Sequence, residues 1–155
     1  MDFLPLLKLH LKSDVMRDLL EAWDAQVVYE YDRTHENIPD EYWASIHSEG
    51  VCFKFNEHQL LNCIFLYPTE TDGFTPIDLS LTDIPQFSSL NAAASYTDKN
   101  TLGFSSGQGE LFGQLRNWIR LEYEHHWIHY EFRDKVLGLV TLTGISNVDT
   151  AGTKP

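Results

Sequence analysis

The chain predicts an α+β fold, in which antiparallel hairpins form the sheet and helices pack on one of its faces. Three observations point there. The stretch from Trp118 to Thr143, WIRLEYEHHWIHYEFRDKVLGLVTLT, alternates apolar and polar residues and is broken by a short charged turn. GVCFKFNEHQLLNCIFLY, residues 50–67, has the same character. Val15, Met16, Leu19, Leu20 and Trp23 instead recur at helical spacing. Period two with β-branched and aromatic residues marks strands with one buried face, and the 3.6-residue period marks an amphipathic helix.

The elements follow in order. Ser13 is a natural N-cap for a helix over 14–23, with Asp14 and Asp18 at the positive end of its dipole. Strands are expected at Val27–Tyr31 and Tyr42–Ile46, with an acidic loop between them. Gly50 opens Val51–Phe55, and Asn56–Gln59 turns the chain into Leu60–Tyr67. Pro68 to Pro85 has no clear period and reads as loop, and Phe87–Ala94 as a second helix. Asn100–Gly113 holds four glycines and two serines and reads as a flexible loop. Trp118–Tyr123, His126–Phe132 and Val136–Thr143 are the closing strands. In the middle one, Ile128, Tyr130 and Phe132 face one way and Trp127, His129 and Glu131 the other. Ser146–Pro155 is a polar tail.

At 155 residues the chain is expected to be a single domain over 1–145. Within it, 13–67 and 86–143 each run helix, strand, hairpin. Two similar helix-plus-hairpin units is one reading of that order, and two hairpins that merely look alike is the other.

Cys52 and Cys63 fall on adjacent strands. If Phe55 pairs with Leu60, the two thiols face each other. If the turn is one residue longer, Val51, Phe53 and Phe55 meet Phe65, Cys63 and Leu61, a more uniformly apolar set. The buried face sets register, so the second pairing is preferred and the thiols are expected free and buried.

Charge limits the partners. Net charge is −12, from 23 acidic residues against 11 Lys and Arg. Phosphate neutralisation needs a basic patch, so nucleic acid is not expected as a direct ligand, nor is an anionic membrane. Between Thr34 and Asp98 the only Lys or Arg is Lys54, against ten acids. Such an excess can focus a field and speed encounter with a cationic protein. The start, MDFLPLLKLHLK, lacks a basic n-region, carries Asp2 and Pro5, and has no Cys for a lipid, so a cytoplasmic protein is expected.

The runs YWASIHSEGVCFKFNEHQLLNCIFLYPTETDGF and WIRLEYEHHWIHYEFRDKVLGLVTL, with an LTDIP lead-in to the helix between them, resemble small bacterial proteins encoded beside polymorphic toxins. The resemblance is to immunity proteins, which bind and neutralise a cognate toxin domain, and spans roughly Ser13 to Leu142. The half-repeat is also similar to β-lactamase-inhibitor-like proteins and to small outer-membrane assembly lipoproteins. The first resemblance implies a protein-binding domain with a toxin as partner.

Catalytic signals are unspecific. On a helix, His126 and His129 could share a metal. On a strand, His125 and His129 lie about 13 Å apart by rise alone. The alternation favours the strand, so no metal and no cofactor are expected. Ser105–Gly113 is glycine-rich but lacks phosphate-loop spacing. Glu122, Glu124 and Glu131 could pair for acid–base work, although exposed strand carboxylates are commonly just solvated. The expected function is therefore occlusion of a basic toxin domain such as a nuclease. Its partner-binding residues would be Glu70, Asp72, Asp78, Asp83, Glu122 and Glu124, with Trp127 and Tyr67 as anchors. The alternatives are a small metal-dependent hydrolase using His125–His129, or a scaffold subunit.

Overall fold

A computed structural model describes residues 1–146. The predicted tail therefore lies, Ser146 apart, outside the described residues. The fold is α+β, with α1 (Asp14–Ala22), β1 (Val27–Glu30), β2 (Glu41–Ile46), β3 (Val51–Phe55), β4 (Leu61–Leu66), α2 (Leu90–Asn100), β5 (Gly103–Leu111), β6 (Gln114–Glu122), β7 (His126–Arg133) and β8 (Val136–Gly144). The eight strands form one antiparallel sheet in the order β1-β2-β3-β4-β8-β7-β6-β5. Each helix thus leads into a four-stranded meander. The last strands of the two meanders pair with each other, Cys63 opposite Thr143 and Leu66 opposite Val140.

Local chemistry explains the element boundaries. Ser13 Oγ accepts from the Met16 amide at 3.4 Å and starts α1, whose Met16 and Leu20 are buried. Ser89 Oγ accepts from Ala92 N at 3.1 Å. That cap places α2 at Leu90–Asn100 rather than at the predicted Phe87–Ala94. Its second half is polar, but Thr97 lies one turn beyond Ala93 on the same buried stripe and keeps the helix going. Gly50 sits at φ +67, and a Cβ there would collide with the Thr75 carbonyl, so only glycine fits this turn. Asp134 and Lys135, both at positive φ, form a two-residue loop between β7 and β8.

Two further expectations need correcting. The predicted flexible loop at 100–113 contains β5, a nine-residue strand paired with β6 from Gly103↔Glu122 to Leu111↔Gln114. Glycine and serine have weak strand propensity, so this strand is imposed by its neighbour. Register in the first hairpin also differs. Phe55 does face Leu61, but an irregularity at Lys54/Phe55 shifts the rest to Lys54↔Cys63, Phe53↔Ile64 and Val51↔Leu66. The extra residue, Asn62, turns Ile64 and Leu66 inward and Cys63 and Phe65 outward, so the buried face is more apolar than either predicted register allowed. Both thiols are free; Cys52 is buried and Cys63 half-buried.

One cluster forms the core. It joins Phe3, Met16 and Leu20 to Ile46, Phe53, Ile64 and Leu66, and continues through Val140, Leu142, Tyr130, Ile119 and Ala93. Tyr130 is fully buried, its hydroxyl donates to the Pro85 carbonyl at 2.6 Å, and its ring meets Phe87 edge-on at 5.0 Å.

Candidate functional site

The alternation that buries Ile128, Tyr130 and Phe132 turns the intervening residues to the opposite face of the sheet. Registers across the strands set Glu41 and Trp43 of β2, Lys54 of β3, Cys63 and Phe65 of β4, and Leu139, Thr141 and Thr143 of β8 on that face. Trp127, His129, Glu131 and Arg133 of β7 and Arg116, Trp118, Arg120 and Glu122 of β6 complete it. These side chains are mostly half-buried, and Trp43, Phe65, Trp118 and Trp127 belong neither to the core cluster nor to the apolar side chains packed against it. They lean on one another instead.

On β6 and β7 each contact is a diagonal step. The Arg120 guanidinium lies 3.9 Å from the Trp127 ring centroid, Trp118 stacks on His129 at 5.1 Å, and Arg116 Nη1 donates to Glu131 at 3.1 Å. Directly opposite pairs are Arg120↔His129, Trp118↔Glu131 and Arg116↔Arg133, so each of these three β6 side chains reaches two residues towards the start of β7. Twist of the ribbon brings such diagonals within reach of long and aromatic side chains. Across the sheet, Trp43 stacks on Phe65 at 5.8 Å, with Lys54 Nζ 5.3 Å from the Trp43 ring centroid. On β5, a Cβ at Gly107 would lie 2.8 Å from Trp118 ring atoms, so the indole requires glycine beneath it.

The charged side chains on this face are tied to one another, four cations (Lys54, Arg116, Arg120, Arg133) to three carboxylates (Glu41, Glu122, Glu131), which leaves one cation in excess. Lys54 pairs with Glu41 at 2.8 Å and Arg120 with Glu122 at 2.7 Å, while Glu131 Oε1 takes both Arg116 and Arg133. The Arg120 hydrogen bond holds the Glu122 carboxyl below its usual range, assisted by Ser105 Oγ at 2.8 Å. Burial lowers the His129 pKa despite Glu131 nearby, so the ring is neutral at neutral pH. A shallow depression of about 330 Å³ lies between Arg120, Trp127, His129, Leu139, Thr141 and Thr143. Such a surface offers aromatic area and ion-paired side chains.

The structure does not gather the six acidic residues named from the sequence. Glu70 and Asp72 are exposed and border a hollow of about 390 Å³ with Gln114 and Arg133. Asp78 caps the turn at Leu79–Leu81, accepting from Ser80 N at 3.0 Å and Ser80 Oγ at 2.6 Å, which lowers its pKa. It lines a second cleft of about 320 Å³ with Trp23, Ile77 and Leu81. Asp83 accepts from the Phe3 and Leu4 amides at 2.8 and 3.0 Å and fastens the N-terminal segment. Glu122 sits at the edge of the ladder, and Glu124 is exposed, 3.7 Å from His125. Glu122 pairs with Trp127, whereas Arg133 borders the Asp72 hollow. Six residues of β7 separate those points, about 20 Å.

The histidines part in the same way. His125 is exposed, His126 stacks on Tyr123 at 4.6 Å, and His129 faces the opposite side of the strand. No hydrogen-bond partner among the described residues meets His126 Nε2, and burial lowers its pKa, which fits a neutral ring. Among the described residues no three His, Cys, Asp or Glu side chains are placed to hold a metal ion. The Cys52 thiol meets Ser45 Oγ at 3.4 Å, and His47 stacks on Phe74. Tyr67, expected as an anchor, is half-buried and stacks on the other side of that Phe74 at 4.1 Å. Alternation in the sequence turns Trp127 outward, as the structure does, but gives no such placement for Trp43, Phe65 or Trp118. The signal for Trp118 was available, because an aromatic stood at the outward phase of its strand. No family model, curated protein or solved structure matches the chain.

Proposed function

We propose that this chain is a non-catalytic, cytoplasmic, toxin-neutralising immunity protein, and that its outward sheet face, rather than the acidic loops alone, docks on the cognate toxin domain. The observation that carries the reading is the ladder of outward, half-buried pairs, Arg120 on Trp127, Trp118 on His129 and Trp43 on Phe65, packed against one another and not against the core. Trp and Arg in rigid, partly desolvated arrays are the residues that concentrate binding energy at protein interfaces. Their preformed stacking limits the side-chain entropy lost on association.

In this reading α1 and α2 both back the inward face, and the two helix-plus-meander halves act as equivalent units that build one broad platform. The shared core of Met16, Leu20 and Ala93 with inward residues of both halves supports that arrangement. The acidic loops around Glu70, Asp72 and Glu124 then steer a basic toxin towards the platform, which occludes its substrate groove.

The test is recovery of the partner from the native host, using this chain as bait, followed by two assays. Co-expression must protect cells from the recovered toxin domain, and failure to protect ends the immunity reading. Charge reversal Asp72→Lys should slow association and leave dissociation nearly unchanged, whereas Trp127→Ala should speed dissociation. Equal affinity for Trp127→Ala and the native chain would reject the face while leaving the immunity reading intact.

A further inference from the structure

We propose that the edge of β5 that meets no strand among the described residues pairs antiparallel with the same edge of a second copy, joining two sheets around a twofold axis at Gly107. The inference rests on the sheet's two edges and does not depend on the toxin reading.

The edges are treated differently. β1 is four residues long, ends on Glu30, is followed by Asp32, and has its Tyr29 hydroxyl tied to Asp40 at 2.6 Å. Short length and flanking charge are the usual devices that stop an edge from recruiting another strand. β5 has neither. It runs for nine residues, is exposed at all but two of them, and its only charge is Glu110. An edge strand leaves a row of backbone N–H and C=O groups without strand partners. Apolar side chains cluster at its ends, with Phe104 and Leu111 each 46% exposed and Phe112, at the hairpin tip, 98% exposed.

Self-pairing suits this sequence. With Gly107 opposite its own copy, Ser106 faces Gln108, Ser105 faces Gly109, and Phe104 faces Glu110 of the other chain. No like charges meet, and the two Glu110 carboxylates stand about 20 Å apart along the ribbon. Small residues at the centre permit close approach. The same register carries Phe112 of each copy to Leu102 of the other, and Leu102 already packs on the core. A twofold contact of this kind is isologous, so each complementary pair occurs twice.

Sedimentation equilibrium on the full chain over a wide concentration range tests the proposal, and the native chain should be a dimer. Ser106 and Gln108 are exposed, so substitutions there leave each subunit's core untouched. Ser106→Lys with Gln108→Lys sets two like-charge pairs across the axis and should weaken the dimer roughly tenfold or more. Ser106→Lys with Gln108→Glu sets opposite charges there and should keep the dimer, now weakened by salt. A monomeric native chain, or two variants that dimerise equally well, would overturn the proposal. So would a dimer lost in the opposite-charge variant, because that variant carries the same lysine and still fits the register.

Discussion

Gly107 and Trp118 allow a sharp test of how β5 is held. A Cβ on residue 107 would lie 2.8 Å from the Trp118 indole, whose other face stacks on His129. In Gly107→Ala the ring must shift and the stack loosens. Overpacking of this sort costs about 1–3 kcal/mol. Alanine regains roughly 0.5–1 kcal/mol of the backbone entropy that glycine loses on folding. The net expectation is destabilisation by about 1 kcal/mol, the difference of those two terms. In a Trp118→Ala background the obstruction is gone, and the same substitution should stabilise by roughly 0.5–1 kcal/mol. A double-mutant cycle by urea denaturation reads the coupling directly, and its sign reversal is the diagnostic feature. If Gly107→Ala stabilised both backgrounds equally, residue 107 would not lie under Trp118 and the β5–β6 register would be wrong.

Other predictions draw on separate parts of the molecule. Tyr130→Phe removes the donor to the Pro85 carbonyl and should cost about 1–2 kcal/mol in urea unfolding with the fold retained; no loss would mean that carbonyl finds another donor. Asp83→Ala releases the Phe3 and Leu4 amides and should lower stability by about 1–2 kcal/mol, with faster hydrogen exchange at those two amides. Burial lowers the pKa values of His126 and His129, so the unfolded chain takes up these protons first. Their contribution is therefore constant above the unfolded value of about 6.5 and is lost as pH falls below it. The urea midpoint should drop between about pH 7.5 and about pH 5.5, and His129→Gln should flatten the slope. A midpoint that rose on acidification would contradict the burial of both rings.

How much was legible depended on whether an element's residues carried their own reason for being there. β7 was readable because Ile128, Tyr130 and Phe132 alternate with Trp127, His129 and Glu131, so period two survives in the letters; His126, the first residue of the strand, breaks it at the inward phase. β5 was not, because GFSSGQGEL has little strand preference; its conformation comes from β6 and its central glycine from an indole eleven residues on. The start of α2 needed the Ser89 cap, and its end needed Thr97 to count as a core residue. The β3–β4 register turned on one extra residue, Asn62, whose placement depends on burying Ile64 and Leu66 together. At the candidate site, Trp127, His129 and Glu131 were placed outward correctly. Cys63 and Thr143, eighty residues apart, pair where the two halves meet, and no local pattern announces that junction. The same holds for Asp83 and Asp78, whose carboxylates serve nearby backbone amides, a use that counting charges cannot reveal.

The outward face differs from an ordinary polar sheet surface in one physical respect. Each of its three carboxylates is ion-paired and two of its four cations lie over indole rings, so a partner that covers it meets one cation in excess. Leu139, Thr141 and Thr143 line the shallow depression beside Trp127. The most direct test of the proposed function takes a toxin domain recovered with this chain and measures its affinity and off-rate for the native chain and for Trp127→Ala by surface plasmon resonance at fixed salt. The account predicts a loss of about tenfold or more, carried by a faster off-rate, from a variant that remains folded in the absence of urea. Unchanged affinity for Trp127→Ala, with binding instead abolished by Glu70→Lys and Asp72→Lys, would contradict it and move the interface to the acidic loops.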